Sequence, residues 1–251
     1  MSQKKAIVRP PGLSFCNCIS THPDRYRVSL RKALLQHEKY CTTLSELGLE
    51  VIRLPPRDDL PDACFIEDTA VVLDRKAVIA RPTFESRRQE IESVSEVLKD
   101  NFDVVYIKPP GYLEGGDVIV TDREIICGIT QRTNTEGKEQ LSTHLDQEVI
   151  QVADPTIMHL KSYITHINDS KLIANAKYSR HPSLSNFEII ELPDDEDYGA
   201  NTITIDGVTI LPENASKSED ILNNMGIETM TLNMSEFNKC DGALSCLSLI
   251  F

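Results

Sequence analysis

Along this chain one pattern returns. A few apolar residues alternate with polar ones, a polar turn follows, and a second apolar stretch runs back, as expected of a β-hairpin. T-A-V-V-L, D-R-K, A-V-I-A-R begins at Thr69; D-V-I-V-T, D-R-E, I-I-C-G-I at Asp117; S-Y-I-T-H-I, N-D-S, K-L-I-A-N-A at Ser162; and N-T-I-T-I, D-G, V-T-I-L-P at Asn201. The spacing of roughly 40 to 50 residues is that of a repeat architecture. Helical spacing falls between the units, as at Ser86 to Asp100 and Lys217 to Met225.

A fifth apolar strand, A-L-S-C-L-S-L-I-F, ends the chain with no room for a hairpin partner, while A-I-V-R-P near the N-terminus has none either. Pairing the two ends closes the set. The pattern predicts an α/β fold, a five-bladed propeller whose last blade is closed by the N-terminal strand, because closure removes exposed sheet edges. Cys246 would then lie on an inner strand facing the central channel. Residues 1–251 read as one domain, since no linker or low-complexity run marks a boundary.

Composition narrows the partners. Apolar residues make up 40% and charged residues 26%, ordinary for a globular chain, but the net charge is −13. That field repels nucleic acid and anionic membranes and suits a cationic small molecule. No signal-like leader precedes the first strand, and no apolar run nears the roughly 18 residues needed to span a bilayer. A soluble cytoplasmic protein is expected. The seven cysteines are odd in number and scattered, as for thiols kept reduced. C-N-C at Cys16 to Cys18 could hold a soft metal but has no companion pair, so no metal site is expected. Strand and helix patterns leave the oligomeric state, including a homodimer, open.

The polar residues cluster at the starts of the inner strands. Asp62, Glu67 and Asp68 precede the first, Glu114 and Asp117 the second and His159 the third; Asn201 sits at the fourth, and Asp241 and Cys246 in the fifth. In a closed ring these positions converge. Carboxylates gathered in a low-dielectric channel repel one another unless a cation joins them. The cation whose fork of donors matches two carboxylates is a guanidinium. Its central carbon is electrophilic but deactivated by delocalisation, so hydrolysis requires a strong nucleophile and a proton donor for the leaving amine. Cys246 can attack, and a bound cation favours its thiolate over a thiol that ordinarily titrates at about 8.5. Among the histidines, His22 and His37 fall in a polar helical region, His144 on a polar helix face, His166 within a hairpin and His181 before a proline. His159 alone occupies a strand start, and it is the expected general acid and base.

F-I-E-D-T-A-V-V, S-R-R at Ser86 to Arg88, L-E-G-G-D-V-I-V-T-D-R-E, Q-R-T-N at Gln131 to Asn134, H-L-K-S and D-G-A-L-S-C-L-S-L together resemble the dimethylarginine dimethylaminohydrolases. The likeness spans essentially the whole chain, and six motifs in order are far more specific than any one. It implies the pentein fold, no cofactor, and hydrolysis of asymmetric dimethylarginine or monomethylarginine to citrulline and a methylamine through a covalent cysteine intermediate. It implies Cys246 as nucleophile, His159 as acid and base, and Glu114 as the acid orienting the histidine. It further implies Asp68 gripping the guanidinium, Glu67 as a supporting pocket acid, Asp62 and the Asp241 backbone near the amino-acid end, and Arg87 and Arg132 on the α-carboxylate. The loop C-N-C-I-S-T-H resembles the family's mobile lid, with Ile19 where leucine is more common. Cys64 is an extra thiol near the pocket, expected to be a spectator. Gly115 and Gly116 serve either a tight backbone approach or a turn. Two alternatives stay open: an arginine deiminase-like or other guanidine hydrolase, and a non-catalytic binder of arginine-like cations.

Overall fold

The computed structural model describes residues 3–168 and 170–251, so Met1, Ser2 and Asp169, in the middle of the N-D-S turn, lie outside the described residues. Five three-stranded sheets follow one plan: an inner strand, an antiparallel middle strand, and an outer strand parallel to the middle one. The first blade is Ala70–Leu73, Lys76–Ile79 and Asp103–Tyr106; the second Val118–Val120, Ile125–Ile129 and Val149–Ala153; the third Ile164–Asn168, Lys171–Asn175 and Glu188–Leu192; the fourth Ile203–Ile205, Val208–Pro212 and Glu228–Leu232. The chain ends pair as expected. Ser248–Ile250 runs antiparallel to Lys5–Val8, with Ala6 opposite Ile250 and Val8 opposite Ser248, and Glu50–Arg53 completes the fifth blade.

Parallel outer strands require crossovers, and these form the outer layer. Leu30–Glu46, Ile91–Lys99, Thr135–Leu145 and Ser216–Asn224 are α-helices, whereas the third blade crosses over through only the short turn Pro182–Leu184. Ser29 caps Leu30–Glu46 and Asn134 caps Thr135–Leu145, which gives the asparagine of Q-R-T-N a local task. The expected helix from Ser86 begins instead as a 3-10 turn, Glu85–Glu90. Each middle strand is flanked on both edges by the other strands of its blade, and runs such as Ala77 to Ile79 and Leu172 to Ala174 are buried throughout. Leu30–Glu46 buries Ala33, His37, Tyr40, Cys41 and Leu44 along one stripe. His37 is therefore a core residue and not solvated as its polar neighbours suggested; burial, aided by Arg53, pulls it down to about 4. Among the described residues no helix is long and apolar enough to cross a membrane.

Candidate active site

Short 3-10 turns carry the polar residues into the ring. Ile66–Thr69, Gly115–Asp117, Leu160–Ser162 and Ser245–Leu247 each lead into, or directly precede, an inner strand. Cys246 belongs to the last of these turns and not to the closing strand, which begins at Ser248. From this turn Cys246 lines a small cavity.

A small cavity gathers Ile19, Asp62, Asp68, Arg87, Arg132, His159, Asp241 and Cys246 from across the sequence. Glu114 lies behind it, fully buried, and Glu67 faces the opposite side of the ring. Nε2 of His159 is 2.9 Å from Oε2 of Glu114 and 3.6 Å from Oδ1 of Asp68. Burial alone would lower the imidazole; Asp68, the Glu114 hydrogen bond and Asp117 outweigh it and hold His159 at about 9. Burial likewise opposes ionisation of Glu114, but His159, Arg87 and Arg132 bring it down to about 2. The pair is thus a carboxylate and an imidazolium near neutrality. Asp117, also buried, is pushed up to about 6 by burial.

Gly115 and Gly116 provide a close approach, the first of the two readings left open by the sequence. A Cβ on Gly115 would lie 2.0 Å from the Glu67 carbonyl oxygen; one on Gly116 would lie 2.8 Å from Oδ1 of Asp68 and 2.9 Å from the His159 ring. The Gly116 N–H also donates to Asp68 (3.2 Å).

The two arginines differ. Arg87 is saturated: its Nε and Nη2 donate to Glu90 (2.9–3.2 Å), and Nη1 reaches Asp68 at 3.0 Å and Glu114 at 3.4 Å. Burial opposes the charge, yet these carboxylates keep the guanidinium firmly protonated. Arg132 stacks over the Phe84 ring at 4.3 Å, and its buried Nη1, 3.5 Å from Glu114, makes no hydrogen bond among the described residues. Asp68, Glu114 and His159 are close enough together to share a cation, a place the Arg87 guanidinium already takes beside Asp68 and Glu114.

Burial pushes the Cys246 thiol up, reinforced by Glu67 and Asp68. Beneath it lies a network in which sequence reasoning gave Lys161 and Ser245 no role. Lys161 Nζ and the Ser245 hydroxyl each donate to Glu67 at 2.7 Å, and Asn201 exchanges hydrogen bonds with Ser245 at 2.9 Å. Both residues stand in quoted motifs, one position from Cys246 and two from His159. Glu90 was missed as well, although its i,i+3 spacing from Arg87 is the signal that finds it. The Glu67–Lys161 pair borders a larger channel cavity of about 250 Å³ on the far side of the ring.

The loop after the first strand covers the cavity. The Ile19 N–H donates to Asp62 at 3.1 Å, the Thr21 N–H to the Asp241 carboxylate at 2.7 Å, and the Ser20 hydroxyl to the Lys239 carbonyl at 3.0 Å. Asp241 itself is left-handed, with φ 54°. A disulfide between Cys18 and Cys240 fastens the same two segments. The expectation of uniformly reduced cysteines is thus corrected: the fold brings together residues 222 apart, which spacing alone does not reveal. The bond removes Cys18 as a metal donor, and it takes away the thiol argument for a cytoplasmic location, because disulfides persist chiefly in oxidising compartments. Cys64 is buried and its thiol is raised well above the ordinary range by burial, as suits an inert core residue. The cavity measures only about 20 Å³, room for about one water molecule.

The family profile described as "N,N dimethylarginine dimethylhydrolase, eukaryotic" matches residues 18–178. The chain is 31% identical over 253 residues to the N(G),N(G)-dimethylarginine dimethylaminohydrolase of Pseudomonas aeruginosa, covering 99% of each. It is 35% identical over 254 residues to the protein of that name from Streptomyces coelicolor, covering 99% of this chain and 97% of the other. The Pseudomonas aeruginosa protein, solved as a cysteine-to-serine mutant complexed with citrulline, shares the fold with a TM-score of 0.96 at 30% identity, each chain being covered completely.

Proposed function

The chain belongs to the dimethylarginine dimethylaminohydrolase family, and from that premise we propose that it hydrolyses asymmetric dimethylarginine or monomethylarginine through a covalent adduct on Cys246. The observation that carries this reading is the gathering of a thiol, a charged imidazole and a carboxylate around one small cavity. The lid loop must lift to admit a substrate, since the cavity holds about one water. Asp68 then grips the substrate guanidinium in place of part of its pairing with Arg87. Arg132 offers its free Nη1 to the α-carboxylate, joined by whatever reach Arg87 regains. Asp62, Asp241 and Ile19 surround the amino-acid end, and Glu67 supports the floor.

The free thiol sits among carboxylates that disfavour its anion. A bound guanidinium reverses the local sign, so the thiol releases its proton to solvent and the thiolate forms once substrate is in place. The thiolate attacks the guanidinium carbon, His159 protonates the departing dimethylamine or methylamine, and the C–N bond breaks to leave an amidino thioether on Cys246. His159, now neutral, takes a proton from water as it attacks that carbon; the C–S bond breaks to release the thiolate, which takes up the remaining proton of the ureido group as citrulline leaves. Glu114 holds the imidazole in register for both transfers.

The test is citrulline release from asymmetric dimethylarginine, monomethylarginine and arginine, each supplied separately, with Cys246→Ser as control. Release from the methylated substrates, lost in the variant, is expected. Citrulline chiefly from arginine would assign the chain a deiminase activity instead, and turnover retained in the variant would remove Cys246 from its role.

A further inference from the structure

Asp117 does not line the cavity, yet it links three of the segments that carry the site. It is fully buried at the end of Gly115–Asp117, the turn that starts immediately after Glu114. Its Oδ1 accepts the N–H of Leu160 at 2.9 Å, the peptide that follows His159. Its Oδ2 accepts the Thr130 hydroxyl at 2.8 Å, and that hydroxyl oxygen accepts the N–H of Arg132 at 3.0 Å. One carboxylate therefore joins the segments bearing Glu114, His159 and Arg132. The packing around it is tight: a Cβ on Gly128 would lie 2.9 Å from its Oδ1.

The other charges facing His159 differ in kind. Asp68 and Glu114 share Arg87, and Glu114 also faces Arg132. Lys161, two residues on, turns to Glu67, and Cys246 faces the same cavity as the imidazole. The hydrogen-bond partners of Asp117 are a peptide N–H and the hydroxyls of Thr130 and Thr133, with no guanidinium among them. Its negative charge consequently acts on His159 without a neighbouring arginine to offset it.

We propose that Asp117 is a positioning residue of this site: it sets the backbone of His159 through Leu160 and the loop of Arg132 through Thr130, and its charge keeps the imidazole protonated for the transfer to the leaving amine. This inference rests on His159 being the proton-transfer group. Asp117→Asn keeps the size of the side chain and an oxygen for the Leu160 N–H but removes the charge. Thr130→Val cuts only the arm toward Arg132, and Thr130→Ser restores its hydroxyl.

Two measurements test it. In the Cys246→Ser background, NMR titration of the His159 imidazole needs no substrate and is independent of whether methylarginines are hydrolysed. Asp117→Asn should lower the His159 midpoint by about one pH unit, a tenfold change in its proton equilibrium, and should move the alkaline limb of kcat with it. Thr130→Val should raise KM about tenfold, the order expected for a displaced charged hydrogen bond to substrate, leave the His159 midpoint in place, and be rescued by Thr130→Ser. An unchanged midpoint in Asp117→Asn would overturn the proposal, as would a Thr130→Val variant losing kcat and not KM. Should Asp117→Asn not fold, the Thr130 pair still decides whether the frame governs Arg132. Failure of the wild type to release citrulline would sink the activity and leave the titration standing as its own test.

Discussion

Removing the Cys18–Cys240 disulfide should weaken the fold as well as the lid. The bond joins residues 222 apart, so in the unfolded chain it closes nearly the whole sequence into a loop. Chain-entropy reasoning sets the effect at about 5 kcal/mol at 25 °C for a loop of this length, above the ~2–4 kcal/mol usually measured. On the native side the cost is small. Cys18 and Cys240 are buried, and two serines in their place remove little volume. A loss of ~2–5 kcal/mol is a large share of the ~5–15 kcal/mol typical of a folded domain. The assay is guanidinium denaturation of the wild type, oxidised and reduced, against Cys18→Ser/Cys240→Ser, with Cys246→Ser present throughout to prevent thiol exchange. The oxidised protein should show the higher midpoint, and the reduced protein should fall to the level of the double variant. The double variant should also show a larger m-value, because its unfolded state is no longer held compact. Identical midpoints for the oxidised protein and the double variant would refute the reasoning, as would seven titratable thiols in the wild type denatured without reductant in place of the five free cysteines of the structure.

Other expectations follow from the same geometry. Gly116→Ala puts a methyl 2.9 Å from the His159 ring and 2.8 Å from Asp68, and activity should fall by about 100-fold, the order associated with ångström-scale misplacement of a catalytic group; near wild-type kcat/KM would show that the ring has room to move. Arg132→Lys keeps the charge but loses the planar fork and its stacking on Phe84; KM for methylarginine should rise about tenfold or more with kcat less affected, and equal kinetics would remove Arg132 from the carboxylate. His159 is raised from 6.5 to about 9, so its stabilising contribution is complete below pH 6.5 and disappears as pH climbs through 9; Glu114, lowered from 4.5 to about 2, contributes above 4.5 and loses that contribution toward pH 2. The stability gap between wild type and Glu114→Gln should therefore be larger at pH 5.5 than at pH 9, and a gap that widens at pH 9 would contradict the assignment.

The order of the elements was legible because it is written locally. Period-two alternation, polar turns such as Asp206–Gly207, where both residues have positive φ, and an unpaired strand at each end suffice to specify five blades and their closure. The residue types that gather at the inner strand starts were legible for the same reason, since each lies in the short segment that leads into its strand. Cys246 in a turn ahead of its strand was harder to read, because a short 3-10 turn and the first residues of an apolar strand share one pattern.

What only the tertiary structure decided is whatever depends on distance between blades. Pairing of Cys18 with Cys240, the ion pairs of Arg87 with Asp68 and Glu114, and the Lys161–Glu67–Ser245–Asn201 floor all join segments far apart in sequence. The ionisation of His159 belongs to the same class: burial pulls it one way and three carboxylates from two other turns pull it the other. Hydrophobic periodicity carries no record of such balances, because electrostatic energy and hydrogen bonding depend on separations that exist only once the ring has closed.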